Sequence, residues 1–214
     1  MSHDFDKTYW EDRWRTGANG VPAAMAQTPP NPYLVRAVSG LAPGTALDAG
    51  CGAGAEAIWL ATQGWRVTGA DISSDALGQA SRRAVDSGLA EGQVEWVEAD
   101  LTSWTPATQY GLVVTNYAHP SIPQLDFYRR ISAWVAPGGT LLIVGHLHSH
   151  GAGHGHHDDQ PPAEASVMVA DVSAVLDEAS WQIVAAEEQF RTVTGPGGHT
   201  SDLHDVVVQA TRLS

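Results

Sequence analysis

The sequence predicts an α/β fold, a mostly parallel sheet covered by helices on both faces and finished by an antiparallel hairpin. Three observations carry this reading. Short apolar runs alternate with stretches of helical spacing across the first two thirds of the chain. Those runs are near-continuous rather than alternating, as strands buried on both faces are. The last third ends in two long β-rich runs joined by a loop too short for a parallel crossover, which needs a dozen or more residues.

The elements follow in order. Strands are expected at Thr45 to Asp48, Arg66 to Ala70, Val94 to Ala99, Gly111 to Thr115 and Thr140 to Gly145. A helix from Ala55 to Gln63 closes on Gly64, a natural residue just past a helix end. Ser74 is expected to cap a second helix, with Leu77, Ala80 and Ala84 on one face and a stop at Gly88. Leu125, Tyr128, Ile131 and Val135 give a third, before the break at Pro137-Gly138-Gly139. A further helix is expected near Val172 to Glu178, then strands Gln182 to Val193 and Leu203 to Ala210 around a Gly/Pro/His loop at Thr194 to Thr200. Regular β-α alternation argues for a parallel sheet with helices on both sides.

Composition limits the functions open to such a fold. The 214 residues suit one domain, and 43% hydrophobic content supplies a sizeable core. Lys and Arg number 11 against 24 Asp and Glu, a formal charge of −13. That balance disfavours phosphate backbones and anionic lipid, so neither nucleic acid nor membrane is expected as a partner. A lone cysteine, Cys51, points to a reducing compartment. With no secretory signal at Met-Ser-His-Asp-Phe-Asp and no long apolar run, the expected location is the cytoplasm, as a monomer or homodimer.

The most informative stretch runs from Thr45 to Ala55: an apolar strand, Asp48, then glycines at 50, 52 and 54, then a helix. A tight turn and a ligand pressed against backbone both require glycine. A side chain at Gly50 or Gly52 is expected to occupy the ligand's space. The helix N-terminus beyond offers free N–H groups to a carboxylate or phosphate. Strand two ends at Asp71, 21 residues after Gly50, where a carboxylate can accept both ribose hydroxyls. Strand three ends at Asp100-Leu101, a polar and an apolar side chain for an adenine ring. Three such sites at neighbouring strand ends describe a nucleoside pocket.

Gly50-x-Gly52-x-x-Ala55 also fits the dinucleotide fingerprint, which leaves an NAD(P)-dependent oxidoreductase open. Against it, Asp48 would repel a pyrophosphate but attract the ammonium of a methionine moiety or a sulfonium. The fingerprint also starts some 45 residues in, and the terminal hairpin is foreign to a dinucleotide fold. A non-catalytic protein that binds a cofactor or metal is the third class.

Four segments resemble, in order and spacing, the motifs of class I S-adenosylmethionine-dependent methyltransferases of the small-molecule type. They are Asp-Ala-Gly-Cys-Gly-Ala-Gly (48 to 54), Gly-Ala-Asp-Ile-Ser (69 to 73), Glu-Ala-Asp-Leu (98 to 101) and Trp-Val-Ala-Pro-Gly-Gly-Thr-Leu (134 to 141). The resemblance implies a Rossmann-like three-layer sandwich with a seven-stranded sheet of order 3-2-1-4-5-7-6. The resemblance covers about Asn31 to Gly145 and implies S-adenosylmethionine as methyl donor, leaving S-adenosylhomocysteine, while saying little about the acceptor. The expected protein is a single domain over 1–214 that methylates a small molecule. The resemblance places Asp48, Ala49, Gly50, Cys51 and Gly52 at the methionine end, Asp71 and Ile72 at the ribose and adenine, Asp100 and Leu101 at the adenine, and Asn116 beside the cofactor.

Upstream, Tyr9-Trp10-Glu11-Asp12-Arg13-Trp14 is similar to the entrance helix of thiopurine and tellurite-resistance methyltransferases. Trp10 and Trp14 share a helix face. Within an N-terminal segment of residues 1–30 they could fold over the cofactor, which makes Trp14 a candidate contact, or simply anchor the helix.

Methyl transfer from a sulfonium is an in-line displacement, so the protein's chief work is to hold the reacting atoms close in a dry pocket. An acceptor of high pKa also needs a base, most often His or a carboxylate. Strand four leads into Asn116-Tyr117-Ala118-His119-Pro120, strand five into His146, and the hairpin loop carries Gly195 to His199. His119 and His146 are the candidate bases; Asn116 and Tyr117 shape the wall. Six of ten histidines lie between His146 and Pro162. His146, His148, His150, His154, His156, His157, Asp158 and Asp159 could ligate a transition metal, but lack a recognised zinc spacing, and no metal site is assigned.

Overall fold

A computed structural model describes residues 5–15, 29–147, 166–194 and 200–214. The chain begins with helices α1 (Lys7–Arg15) and α2 (Pro32–Val38), then runs β1 (Thr45–Ala49), α3 (Ala55–Thr62), β2 (Arg66–Asp71), α4 (Ser74–Asp86) and β3 (Val94–Glu98). It continues through β4 (Tyr110–Asn116), α5 (Gln124–Ser132), β5 (Val135–His146), α6 (Val169–Ala174), β6 (Trp181–Thr194) and β7 (Thr200–Arg212). The seven strands lie in the order β3-β2-β1-β4-β5-β7-β6. The first five are parallel; β7 is antiparallel to both β5 and β6. Sheet and helices thus form the Rossmann-like three-layer sandwich the sequence predicts.

Alternation along the strands builds two cores. Leu47, Val113, Leu141, Ile143 and Val206 meet Phe127, Tyr128 and Ile131 of α5 on one face. Ala46, Leu112, Val114, Leu142 and Val144 meet Leu34 of α2 and Ala57 and Leu60 of α3 on the other. Each fully buried Leu, Ile or Phe contributes roughly 1.5–3 kcal/mol, so successive residues of one strand stabilise opposite layers.

Local chemistry sets the ends of the helices. Asn31 accepts a hydrogen bond from the Tyr33 N–H at 3.0 Å, with Pro32 in the first helical position, so α2 starts there. That start signal stands in the sequence, although no helix was expected there. The cap of α4 is Ser73 rather than Ser74: its side chain accepts from the Ala76 N–H at 3.2 Å. Val135 opens β5 instead of closing α5, because α5 stops at Ser132 and the chain turns into the strand before Pro137. The last helix among the described residues is Val169–Ala174, displaced toward the N-terminus from the expected Val172 to Glu178.

Candidate functional site

In a sheet of this order the connections reverse between β1 and β4: α3 follows β1 onto one face and α5 follows β4 onto the other. The crevice at their carboxyl ends is where such folds bind ligands. A cavity of about 810 Å³ opens there. Ligand pockets span about 300–1,000 Å³, so this one has room for a nucleoside cofactor and a second molecule.

The glycine turn forms its floor. The N–H groups of Gly50 and Cys51 both donate to the Ala70 carbonyl, at 2.8 and 3.1 Å, stitching the turn to β2. Gly50 and Gly52 have φ of 79° and 50°, a region costly for residues with a Cβ. The nearest obstacle to a side chain is the protein itself. A Cβ on Gly50 would lie 2.5 Å from that of Ala118, and one on Gly52 would lie 3.0 Å from the Trp14 ring. Ala118 and Trp14 also line the cavity, so glycine here keeps the crevice narrow as well as bare.

Asp71 stands at the end of β2 with its carboxylate facing the same cavity. One oxygen accepts the Gly52 N–H at 2.8 Å and the other the Ser73 N–H at 2.9 Å. A carboxylate offers about four acceptor sites, so capacity for two hydroxyls remains. Burial pushes the Asp71 pKa up, with the Ser73, Gly52 and Ile72 N–H groups pulling the other way. Ile72 and Leu101 line the cavity as apolar surfaces, and Asp100, beside Leu101, accepts from the N–H and hydroxyl of Thr102.

Asp48 is placed differently from the other predicted residues. It is 1% exposed, accepts the Ala57 N–H at 3.1 Å and, like Ala49, is absent from the cavity lining. Its carboxyl braces the start of α3. Glu56, in the first turn of α3, faces the cavity in its stead. Burial raises the pKa of Glu56, opposed by the Asn31 N–H that donates to its Oε1 at 3.1 Å. Burial and the Glu56 charge push Asp48 well up too. Asp48, Glu56 and Asp71, all with raised pKa values, form an environment that a bound cation would relieve. Sequence reading missed Glu56 because an acid in a first helical turn reads as a partner of the helix dipole.

Cys51 and Asn116 also line the cavity. Burial raises the Cys51 thiol pKa well above its usual value, which keeps it from acting as a thiolate nucleophile. Both the Nδ2 and the Oδ1 of Asn116 are buried without a protein partner at the end of β4. An unpaired buried amide is costly, and a ligand in the cavity would satisfy it.

Helix α1 covers one side. Trp14 is 6% exposed and packs with Ala53 and Ala76, while the Trp10 indole N–H donates to the His119 carbonyl at 3.3 Å. Lys7 pairs with Glu98, and Arg15 reaches Asp75 at 2.8 Å. Glu11 accepts from the N–H and hydroxyl of Ser74 at 2.8 and 2.9 Å, tying α1 to the start of α4.

The predicted histidines stand at the ends of β4 and β5, His119 against α1. His119 and His146 both line the cavity, ring centroids 5.7 Å apart. His146 stacks on Tyr117 at 4.2 Å, and His119 on Trp10 at 6.4 Å. Tyr117 holds a left-handed backbone, φ 56°, and its hydroxyl donates to Asp205 at 2.9 Å. Asp205 is fully buried and also accepts from the Tyr33 hydroxyl at 3.1 Å and from Arg191 Nε at 2.7 Å. Burial and the Asp205 charge push the Tyr117 phenol up, so it stays protonated. Arg191 and Asp205 went unnoticed in the sequence because each lies in an ordinary β-rich run. Among the described residues, no group of three or more His, Cys, Asp or Glu is placed to hold a metal. Residues 148–165, with the remaining histidines of that segment, and the hairpin loop at Gly195 to His199 lie outside the described residues.

Residues 46–139, which span the glycine turn, Asp71, Asp100 and Asn116, match the family model described as a methyltransferase domain. Over that stretch the chain is similar to a methyltransferase domain. Its matches to curated relatives are partial. Over 108 residues it is 35% identical to trans-aconitate 2-methyltransferase of Streptomyces avermitilis, covering 47% of this chain and 38% of that protein. The chain spans only about a third of the length of the first curated relatives it matches. Among solved structures, TehB from Haemophilus influenzae aligns with a TM-score of 0.68 at 17% identity, over 95% of this chain and 67% of that one. The magnesium protoporphyrin IX methyltransferase of Synechocystis PCC 6803, solved with bound SAH, aligns with a TM-score of 0.66 at 19% identity, over 97% and 99%. These structural likenesses share the domain's fold.

Proposed function

We propose that the protein transfers a methyl group from S-adenosylmethionine to a small-molecule acceptor, with S-adenosylhomocysteine as the other product. The observation that carries this reading is the crevice itself. A bare glycine turn is flanked by the Asp71 carboxylate and the unpartnered Asn116 amide, inside a cavity large enough for two ligands. When bound, the cofactor supplies an electrophilic methyl on a sulfonium.

The chain's own residues do the rest. Asp71 accepts the ribose hydroxyls; Ile72, Asp100 and Leu101 hold the adenine. Gly50, Cys51 and Gly52 let the backbone approach the methionine moiety, and Asn116 hydrogen-bonds beside it. Glu56, which faces the cavity where Asp48 does not, takes the ammonium. Trp14 and α1 exclude water from the sulfonium side, within a single domain over 1–214; residues 1–4 and 16–28 of the expected lid segment 1–30 lie outside the described residues. His119 and His146 wall the acceptor and remove its proton where the acceptor requires it. The acidic charge and the size of the cavity favour a small molecule over nucleic acid, and the buried lone thiol suits a cytoplasmic protein, monomeric or homodimeric. Among the described residues no helix is long and apolar enough to cross a membrane.

Crystals grown with S-adenosylhomocysteine test the assignment. The sulfur is expected beside Gly50 and Asn116, with open volume toward His119 and His146. A diphosphate on the glycine turn would replace this reading with a dinucleotide enzyme.

A further inference from the structure

The walls of the cavity carry opposite charges. Glu56, Asp71 and Asp100 cluster around the ends of β1, β2 and β3, whereas Arg191, on β6, is the one Lys or Arg among the described lining residues. Two strands, β5 and β7, lie between β4 and β6. At about 4.8 Å per strand, β6 stands roughly 14 Å from β4. The Arg191 backbone therefore lies away from β4, while its guanidinium reaches back to the Tyr117 hydroxyl just after that strand and its charge acts on Glu56.

Its guanidinium is fixed in place. Nε donates to Asp205 at 2.7 Å, Nη2 donates to the Tyr117 hydroxyl at 2.7 Å, and the group sits 5.9 Å from the ring centroids of Tyr33 and Tyr117. Asp205 is fully buried, yet the Arg191 side chain keeps 25% of its surface open. A guanidinium has five N–H groups, and these two bonds use two. Lost rotamer freedom is already compensated within the fold, so a planar anion meeting the remaining N–H groups would find a prepared fork.

We infer that the methyl acceptor is a flat carboxylate: Arg191 holds its anionic group, and its body lies along the ring wall of Tyr117, His146 and His119. This rests on the methyl-transfer reading above and extends it to the acceptor's chemistry. The stacked pair Tyr117 and His146 forms the connecting surface, and the Arg191–Tyr117 bond couples the fork to that surface.

Titrating trans-cinnamate and trans-cinnamamide tests this, because the two share a shape and differ in charge. Binding is followed by calorimetry on the full chain, with and without saturating S-adenosylhomocysteine, since Arg191 needs no cofactor to be in position. Cinnamate is expected to bind about tenfold or more tightly than the amide, with Arg191→Gln levelling the two and Arg191→Lys retaining part of the preference. Retained binding of S-adenosylhomocysteine by each variant shows that the fold survives. Equal binding of acid and amide, an undiminished preference in Arg191→Gln, or no binding of either compound overturns the inference. Failure of S-adenosylhomocysteine to bind the unaltered protein would instead strike the methyl-transfer reading, while the cofactor-free titration still decides the role of Arg191.

Discussion

A methyl group added to Gly50 would stand 2.5 Å from the Cβ of Ala118, so the turn after β1 and the segment after β4 are already in contact across the crevice. Gly50→Ala is expected to destabilise the fold by about 2–4 kcal/mol, from overpacking and a left-handed backbone together. Adding Ala118→Gly removes the collision but not the backbone cost, and should restore part of the loss. Urea unfolding of the single and double variants measures both terms. No recovery in the double variant would place the whole cost in the backbone.

Asp71 serves the loop and, on the proposed reading, the ribose. Asp71→Ala should weaken binding of S-adenosylhomocysteine by about 1–3 kcal/mol through lost charge-assisted hydrogen bonds. Calorimetry reads the change directly, and unaltered affinity would remove Asp71 from the cofactor site.

Glu56 separates the two ends of the cofactor. Glu56→Gln should cost about 1.5–3 kcal/mol in affinity for S-adenosylhomocysteine, the range for a hydrogen bond to a charged group. Its affinity for methylthioadenosine, which lacks the amino-acid end, should stay the same. Equal losses for both ligands would mean that Glu56 acts only through Asn31 and the shape of the turn.

The docking of α1 depends on pH through Glu11. Burial alone would raise its pKa, but hydrogen bonds from the N–H and hydroxyl of Ser74 and from the Asp75 N–H outweigh it and hold the carboxyl at about 2, against an ordinary 4.5. A depressed folded pKa stabilises above the unfolded value, and that stabilisation is lost as pH falls through the folded one. Glu11→Gln should therefore lower stability by the order of 1–3 kcal/mol at pH 7. The gap from the unaltered protein should close between about pH 4.5 and pH 2. Unfolding curves across that range decide it; a gap independent of pH would assign Glu11 a purely steric role.

Much of this was legible in the sequence, because the governing signals are local. The strand, glycine turn and helix at Thr45 to Ala55 and the acid at Asp71 are set by backbone needs that only certain residues meet. The strand order came with the family resemblance, and the antiparallel end from the short loop between β6 and β7. What escaped depends on contacts distant in sequence. Asp48 and Glu56 are eight residues apart and both acidic, and only the packing of α3 onto β1 turns one inward to Ala57 and the other toward the cavity. Arg191, Asp205 and Tyr33 come from three elements and Tyr117 from the loop after β4, and nothing in their own neighbourhoods marks them as one network. Val135 was misread because its spacing fits the α5 face, while its pairing with Tyr110 places it in β5.

Competition between S-adenosylhomocysteine and NAD for the unaltered protein tests the central claim most directly. Equilibrium dialysis with labelled S-adenosylhomocysteine should show one bound molecule per chain, undisplaced by excess NAD and weakened by Asp71→Ala. Tight NAD binding with no retention of S-adenosylhomocysteine would contradict the account.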